Sequence, residues 1–204
     1  MRLILASTSP RRREILALLR LPFEVIAPEF DEHPSPHLSI EDEVLDFAVG
    51  KARSVASKNR DSIVIGSDTM ISLDGEKIGK PADRADAARI LRLLGGKTHS
   101  IYTSVAILDG TGGPGLRVIE EVRVAMREYR EEEIDRYLFS NESLDKAGAY
   151  SIQGEGRKLI ASVAGDYLAA VGMPLRPIVD YLKSRGMSFD FDVAKLGADK
   201  VVRN

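Results

Sequence analysis

The chain has 204 residues, 44% of them hydrophobic, with a net charge of −2 at pH 7. This length is enough for one compact domain with a substantial core, and the near-neutral charge argues against a stable nucleic-acid partner. The absence of cysteine excludes disulfides and thiolate chemistry. The first apolar run is too short for a signal peptide, and no segment reaches the length of a membrane span. We therefore expect a cytoplasmic protein with no membrane partner.

Strand and helix patterns alternate along the chain, which predicts an α/β fold with helices packed on a sheet. In the first half, the patterns predict strands at 3–6 and 23–27, helices at 11–19 and about 39–58, and a strand with a hairpin at Asp74-Gly75. In the second half, they predict helices at 83–94, 130–139 and 173–186, and strands at 100–108, 116–127 and 158–165. We expect one domain over 1–204, with 187–204 as a loose tail, and a first helix whose core-facing side carries Ile15, Leu16, Leu18 and Leu19.

The stretch "LASTSPRRREIL" predicts a strand, a turn and a helix start. Ser9 is a good N-cap, and Pro10 suits the first helical position. The next three residues are Arg11, Arg12 and Arg13. Cations are unfavourable at this end of a helix, whereas its free N–H groups and the hydroxyls of the preceding turn favour phosphate. The sequence therefore predicts a polyphosphate site here, with a solvated helix start as the alternative.

Two charged residues lie within apolar patterns. Lys51 has helical spacing with apolar residues of the second helix, so its side chain either extends to solvent or neutralises a phosphate. Asp68 follows the apolar run "IVIGS", where a carboxylate must be paired, metal-bound or catalytic unless it serves a turn. Together with Asp31 and Glu32, it could form an oxygen-rich Mg²⁺ site.

The motifs "LASTSPRRREIL", "GSDT", "GKP", "LDKAGAYSIQG" and "VGMPL" resemble, in this order and spacing, the Maf family of nucleoside triphosphate pyrophosphatases. The likeness covers nearly the whole chain. It implies a fold related to that of inosine triphosphate pyrophosphatases, with a twisted mixed β-sheet flanked by helices and two lobes around a central cleft. It also implies cleavage of a nucleoside triphosphate between the α- and β-phosphates, a divalent metal cofactor (Mg²⁺ or Mn²⁺) and, by analogy, a homodimer.

The resemblance also assigns site residues. It implies that two serines and four basic residues bind the substrate: Ser7, Ser9, Arg11, Arg12, Lys51 and Lys80. Asp68 matches the acidic residue regarded as the proton acceptor, and Glu32 matches the acidic position after the second strand. We expect Glu32 and Asp68 to hold the metal, and Asp68 to act as general base, metal ligand or both.

Three positions distinguish the subfamilies. The group acting on dTTP and UTP resembles this chain at Arg11, Thr69 and Gln153, whereas the group acting on 7-methyl-GTP resembles "SPWRR" and "SDQ", which are missing here. A glutamine amide offers both a donor and an acceptor, which suits the O4/N3 edge of uracil or thymine. The resemblance therefore implies a dTTP and UTP pyrophosphatase, with modified pyrimidine triphosphates as further candidate substrates.

Two other classes of protein remain open on the sequence. One is a nucleotide-binding regulator of cell division, as the family's association with septum formation suggests, in which hydrolysis is incidental. The other is a nucleotidyltransferase, although the glycine-rich start typical of that class is missing from "ASTSPRR".

Overall fold

The computed structural model describes residues 2–191. The strands are β1 (Arg2–Ala6), β2 (Glu24–Ile26), β3 (Ser62–Leu73), β4 (Glu76–Ile78), β5 (Thr98–Asp109), β6 (Leu116–Met126) and β7 (Ile160–Ala164). The α-helices are α1 (Pro10–Ala17), α2 (Ile40–Ala56), α3 (Arg84–Leu94), α4 (Glu131–Leu138), α5 (Tyr167–Val171) and α6 (Arg176–Ser184). Short 3₁₀-helices lie at Ala147–Ala149 and Gly154–Leu159.

The described strands form one mixed seven-stranded sheet. Its order is β2-β1-β3-β5-β6-β7, and β4 pairs with β3 off this path. The first strand, β1, is parallel to both β2 and β3, and its register places Ala6 opposite Gly66. The pairs β3/β4 and β6/β7 are antiparallel. The predicted turn at Asp74-Gly75 joins β3 to β4.

Serine caps start the first two helices, and the sequence predicts the first of them at Ser9. The Ser9 side chain accepts a hydrogen bond from the backbone N–H of Arg12 at 3.5 Å. The Ser39 side chain accepts one from the N–H of Asp42 at 3.0 Å, and the acidic first turn of α2 complements the helix dipole. These caps fix where α1 and α2 begin, and both helices carry predicted site residues.

The chain divides into two compact units. Within the described chain, the first unit comprises residues 2–69, 103–120 and 172–191, and the second comprises residues 70–102 and 121–171. In the first unit, α2 packs on the sheet through a cluster of small and β-branched side chains that includes Ile4, Ala48, Ala52, Val64 and Ala106. This cluster buries one full face of α2.

The second unit has its own core. Helix α3 packs against α4 and against the 3₁₀-helix at Ala147–Ala149. The buried His99 and Tyr150 make a hydrogen bond between Nε2 and the hydroxyl at 2.7 Å. Among residues 2–191, no helix is both long and apolar enough to cross a lipid bilayer.

Several sequence predictions are corrected by the structure. Leu18 does not face the core but is 46% exposed, because α1 ends at Ala17 and the chain turns there. The last helix begins at Arg176 rather than 173, and the short α5 before it was not predicted because it spans only 5 residues. The predicted tail is described only over 187–191, which have no regular structure; residues 192–204 lie outside the described residues.

Candidate active site

A lysine ammonium lies between two carboxylates in the first unit. Lys51 Nζ is 2.5 Å from Asp68 Oδ1 and 2.6 Å from Glu32 Oε1. The side chains of Lys51 and Asp68 are each 9% exposed, whereas that of Glu32 is 43% exposed. The structure therefore excludes one alternative at each position: Lys51 does not extend to solvent, and Asp68 is not a turn residue.

Close packing of α2 on β3 brings these groups together. A Cβ atom on Gly66 would lie 2.3 Å from the carbonyl oxygen of Ala48 and 2.8 Å from the backbone nitrogen of Ala52. Only glycine allows the helix and strand backbones to approach this closely. Since Lys51 lies on the buried face of α2 and Asp68 two residues beyond Gly66, this approach places the ammonium against the carboxylate.

Burial sets the acid–base character of Asp68. It raises the pKa of the carboxyl because the charged form loses solvation, while the positive charges of Lys51 and Arg12 act in the opposite direction. A carboxylate with a raised pKa binds a proton more readily than an ordinary aspartate. Asp68 therefore has the character expected of a general base.

Arg12 is held by hydrogen bonds on one side of its guanidinium. Its Nε donates to the carbonyl oxygen of Gly172 at 2.9 Å, and its Nη2 donates to Thr69 Oγ1 at 3.3 Å. The hydroxyl of Ser67 also donates to the Gly172 carbonyl, at 3.0 Å. Burial lowers the pKa of Arg12 below its ordinary value, but an arginine stays protonated at neutral pH. A fixed positive charge thus lies in the first turn of α1.

The other residues of the predicted phosphate-binding stretch differ in exposure. Ser7 is buried, and its hydroxyl oxygen accepts a hydrogen bond from the N–H of Ser9 at 3.1 Å. Arg11 is half-buried, whereas Arg13 is exposed. The two serines therefore shape the turn before α1. Of the three arginines, Arg12 joins the hydrogen-bond network of Thr69 and Gly172 described above.

The loop that carries Glu32 is fastened to α2 at two points. The rings of Phe30 and Phe47 pack edge to face with their centroids 5.9 Å apart. The backbone N–H of Ser35 donates to Glu43 Oε1 at 2.7 Å, and Glu43 is fully buried. This loop has no regular secondary structure, so these contacts hold Glu32 within reach of Lys51.

The two carboxylates suit a hard divalent cation. Both contact one ammonium, so Glu32 and Asp68 lie close enough to share a cation, and their oxygens are the ligands that Mg²⁺ prefers. Within residues 2–191, no group of three or more His, Asp or Glu side chains could hold a metal ion. The exposed Asp31 therefore does not complete the three-carboxylate site considered from the sequence. Two carboxylates with substrate phosphates and water still match a common magnesium arrangement.

Lys80 and Gln153 belong to the second unit, and both are exposed. Lys80 follows β4 directly before the buried Pro81. Gln153 precedes the 3₁₀-helix at Gly154–Leu159, and its backbone N–H donates to Ser151 Oγ at 3.2 Å. Their roles toward phosphate and base stay predictions.

Two contacts to predicted site residues were not expected from the sequence. The Gly172 carbonyl, which also accepts from Ser67, accepts from Arg12, and the hydroxyls of Thr103 and Thr69 are hydrogen-bonded at 3.1 Å. The motif "VGMPL" pointed to the segment of Gly172 but not to its carbonyl group. The only signal for Thr103 is a pair of polar residues inside the apolar strand "IYTSVAIL".

Comparisons with known proteins show which proteins this chain resembles. Over 192 residues, the chain is 42% identical to a protein of Bacillus cereus (strain G9842) named dTTP/UTP pyrophosphatase, covering 94% of this chain and 97% of that protein. A protein of the same name from Bacillus anthracis (strain CDC 684 / NRRL 3495) is 43% identical over 194 residues, with the same two coverages.

Among solved structures, the Staphylococcus aureus Ham1 protein matches with a TM-score of 0.53 and 15% identity, over 91% of this chain and 100% of that one. This likeness supports the fold, and the predicted α/β class with a mixed sheet flanked by helices is confirmed. The Maf family, described as Maf-like protein, matches residues 2–185. Coverage of this extent confirms the resemblance inferred from the motifs, and the chain belongs to the Maf family.

Proposed function

We propose that this protein is a nucleoside triphosphate pyrophosphatase that hydrolyses dTTP and UTP between the α- and β-phosphates, giving the monophosphate and pyrophosphate. The observation that carries the proposal is the buried Lys51–Asp68 pair with the fixed Arg12 charge beside it. Relatives named dTTP/UTP pyrophosphatase, 42% and 43% identical over 94% of the chain, support the substrate assignment.

The basic residues bind the triphosphate. Arg12 is already oriented by Gly172 and Thr69, which use two of its five N–H donors and leave a preformed fork that suits phosphate oxygens. Lys51 adds a buried charge, and Arg11 and Lys80 complete the basic set. Because phosphoryl-type reactions depend mainly on positioning and charge stabilisation, these residues neutralise the substrate and the departing pyrophosphate.

Asp68 accepts the proton of the attacking water. Its raised pKa and its place beside Lys51 and Arg12 support this role, since the carboxylate lies next to the charges that bind the phosphates. A Mg²⁺ or Mn²⁺ ion held by Glu32 and Asp68 would polarise the α-phosphate and orient that water. The same carboxylate can therefore serve as ligand and as base.

The base of the nucleotide is selected by Arg11, Thr69 and Gln153 in this proposal. The donor and acceptor of the Gln153 amide suit the edge of uracil or thymine, and its exposure in the second unit leaves the amide accessible. A cytoplasmic location, a homodimer and a cleft between two lobes stay predictions.

The proposal is tested by measuring pyrophosphate and phosphate release from dTTP, UTP, CTP, GTP, 7-methyl-GTP and dITP, with and without Mg²⁺. We expect metal-dependent pyrophosphate from dTTP and UTP. Release of pyrophosphate only from nucleotides with other bases would support the proposed reaction but contradict the proposed base specificity. If nucleotide binds without release of either product, the protein is instead a nucleotide-binding regulator, and release that requires a second substrate would indicate a nucleotidyltransferase.

The role of Gln153 has a separate test. We expect Gln153→Ala to reduce the preference for dTTP over CTP more than it lowers the rate on the best substrate, because the variant keeps every charge that binds the triphosphate. The measurement is kcat/KM for each nucleotide. An unchanged preference for dTTP would show that another residue reads the base.

A further inference from the structure

The Thr69 hydroxyl makes hydrogen bonds on two sides. Arg12 Nη2 donates to its oxygen at 3.3 Å, and this direction is unambiguous because a guanidinium has only donors. On the other side, the hydroxyls of Thr69 and Thr103 are hydrogen-bonded at 3.1 Å.

This arrangement holds the Thr69 hydroxyl in one place, between the guanidinium of Arg12 and the hydroxyl of Thr103. It also fixes Arg12, since the guanidinium is held at Nε by the Gly172 carbonyl and at Nη2 by Thr69. Gly172 has a φ of +134°, which a residue with a side chain rarely adopts, so this carbonyl is set by the backbone itself.

Thr103 does not touch the substrate. It is fully buried, at 0% exposure, in the middle of β5. Its hydroxyl can affect the reaction only through the residues it contacts, and the contact with Thr69 connects it to Arg12 in one further step. The adjacent Ser104 is also fully buried, but its hydroxyl donates to the carbonyl oxygen of Val44, so the two neighbours hold different elements.

We propose that Thr103 is a positioning residue of the active site: its hydrogen bond to Thr69 holds the Thr69 hydroxyl where it accepts from Arg12, and so helps to hold the guanidinium. This inference rests on the proposed function, because it assigns a role in the same site. Without the hydroxyl of Thr103, the Thr69 side chain loses one of its two hydrogen-bond partners and can rotate away from the guanidinium. The charge of Arg12 is then less well placed for the transition state.

The test is Thr103→Val, which removes the hydroxyl and keeps the volume. We expect kcat for dTTP to fall about 5- to 10-fold, the effect of losing one orienting hydrogen bond, while KM changes less than about 2-fold. Thr103→Ser keeps the hydroxyl and should retain most of the wild-type kcat. Ser62→Ala is the matched control, because this buried hydroxyl in β3 makes no hydrogen bond within the described chain and its loss should leave kcat unchanged.

A double-mutant cycle separates positioning from a general packing effect. If Thr103 acts through Thr69, the double variant Thr69→Val/Thr103→Val should be no slower than Thr69→Val alone, within about 2-fold. Multiplying losses in the double variant, or a wild-type kcat in Thr103→Val, would overturn the inference.

Folding is checked by circular dichroism and thermal denaturation, and Thr103→Ala is the second variant without the hydroxyl if valine prevents folding. The wild-type assay keeps the two proposals apart. If the wild type releases no pyrophosphate from any nucleotide, the proposed function fails. If the wild type is active and Thr103→Val matches it, only the role of Thr103 fails.

Discussion

Asp68 and Asp109 are both aspartates with largely buried side chains in the first unit, yet their surroundings differ. The Asp109 side chain is fully buried and accepts hydrogen bonds from Thr111 N–H at 2.8 Å, the Thr111 hydroxyl at 2.5 Å, the Tyr181 hydroxyl at 2.8 Å and Arg185 Nε at 2.7 Å. Burial alone would raise the pKa of Asp109, but these hydrogen bonds together outweigh it and lower the pKa to about 2. In Asp68, burial prevails and raises the pKa.

The difference shows that the number of donors, together with the loss of solvation, decides what such a carboxylate can do. Four hydrogen bonds to the charged form keep Asp109 ionised and tie α6 to the end of β5, which is a structural role. Asp68 contacts one ammonium and retains affinity for a proton, which is the requirement for a base. An ion pair in a low-dielectric setting is thus compatible with catalysis when the carboxylate is not saturated with donors.

The strongest test of this comparison is Asp68→Asn. We expect kcat on dTTP to fall by about 10³-fold, within the range contributed by general bases, because the amide cannot accept a proton from water. Nucleotide binding should largely survive, because Arg12 and Lys51 keep their charges. The measurements are pyrophosphate release and calorimetric titration with dTTP. Turnover near that of the wild type would remove Asp68 from the mechanism.

The matching variant at the second aspartate is Asp109→Asn. We expect a loss of about 2 kcal/mol in the free energy of unfolding, because the amide cannot accept from all four donors and leaves buried groups unpaired. The active site should keep its kcat, measured below the new melting temperature. Denaturant unfolding of both proteins gives the difference in stability. A variant as stable as the wild type would mean that the donors around Asp109 contribute little net free energy.

The stabilisation from Asp109 should also depend on pH in a defined direction. Its folded pKa of about 2 lies below the ordinary aspartate value of 3.8, so the contribution is fully present above the unfolded pKa and is lost as pH falls through the folded pKa. The difference in unfolding free energy between wild type and Asp109→Asn should therefore be constant above about pH 5 and shrink by about 2 kcal/mol toward pH 2. Chemical denaturation in a series of buffers measures this, and a difference that grows on acidification would contradict the assignment.

The smallest effect is expected at an exposed ion pair, Lys58–Glu29, whose length is close to that of the buried Lys51–Asp68 pair. Lys58 Nζ lies 2.6 Å from Glu29 Oε2, close to the 2.5 Å of the Lys51–Asp68 contact, but the Lys58 and Glu29 side chains are 62% and 77% exposed. Because solvent screens such pairs, Lys58→Ala should leave both the melting temperature and kcat unchanged within error. A clear loss of either would show that this pair supports the loop leading to Glu32.

Much of the fold could be predicted because local signals and packing agree. The Ser9 cap, the second helix and the strand that ends in the Asp74-Gly75 turn all lie where the sequence predicts them. The start of the last helix and the short α5 could not be predicted. Each depends on how the segment around Pro174 packs, and a helix of 5 residues has too few positions to show a periodic pattern.

The charged residues of the candidate site could be predicted from the sequence, but the contacts between them could not. Lys51 and Asp68 were recognisable because each places a charge inside an apolar pattern. The contact of Glu32 with Lys51 and that of Arg12 with the Gly172 carbonyl both join residues that are distant in sequence. Arg12 and Gly172 are 160 residues apart. Thr103 gave only a weak signal, because a buried hydroxyl on a strand is as common in plain cores as beside active sites.

The close approach of α2 to β3 has a consequence for how substitutions in this chain would be read. Any side chain at Gly66 would meet the backbone of α2 at 2.3 Å and push the helix outward, carrying Lys51 away from Asp68. A genetic screen for activity would therefore rank position 66 with the charged residues, although glycine has no group that could meet a nucleotide. The absence of a Cβ atom at this position is what allows the short distance between α2 and β3 on which the Lys51–Asp68 contact depends.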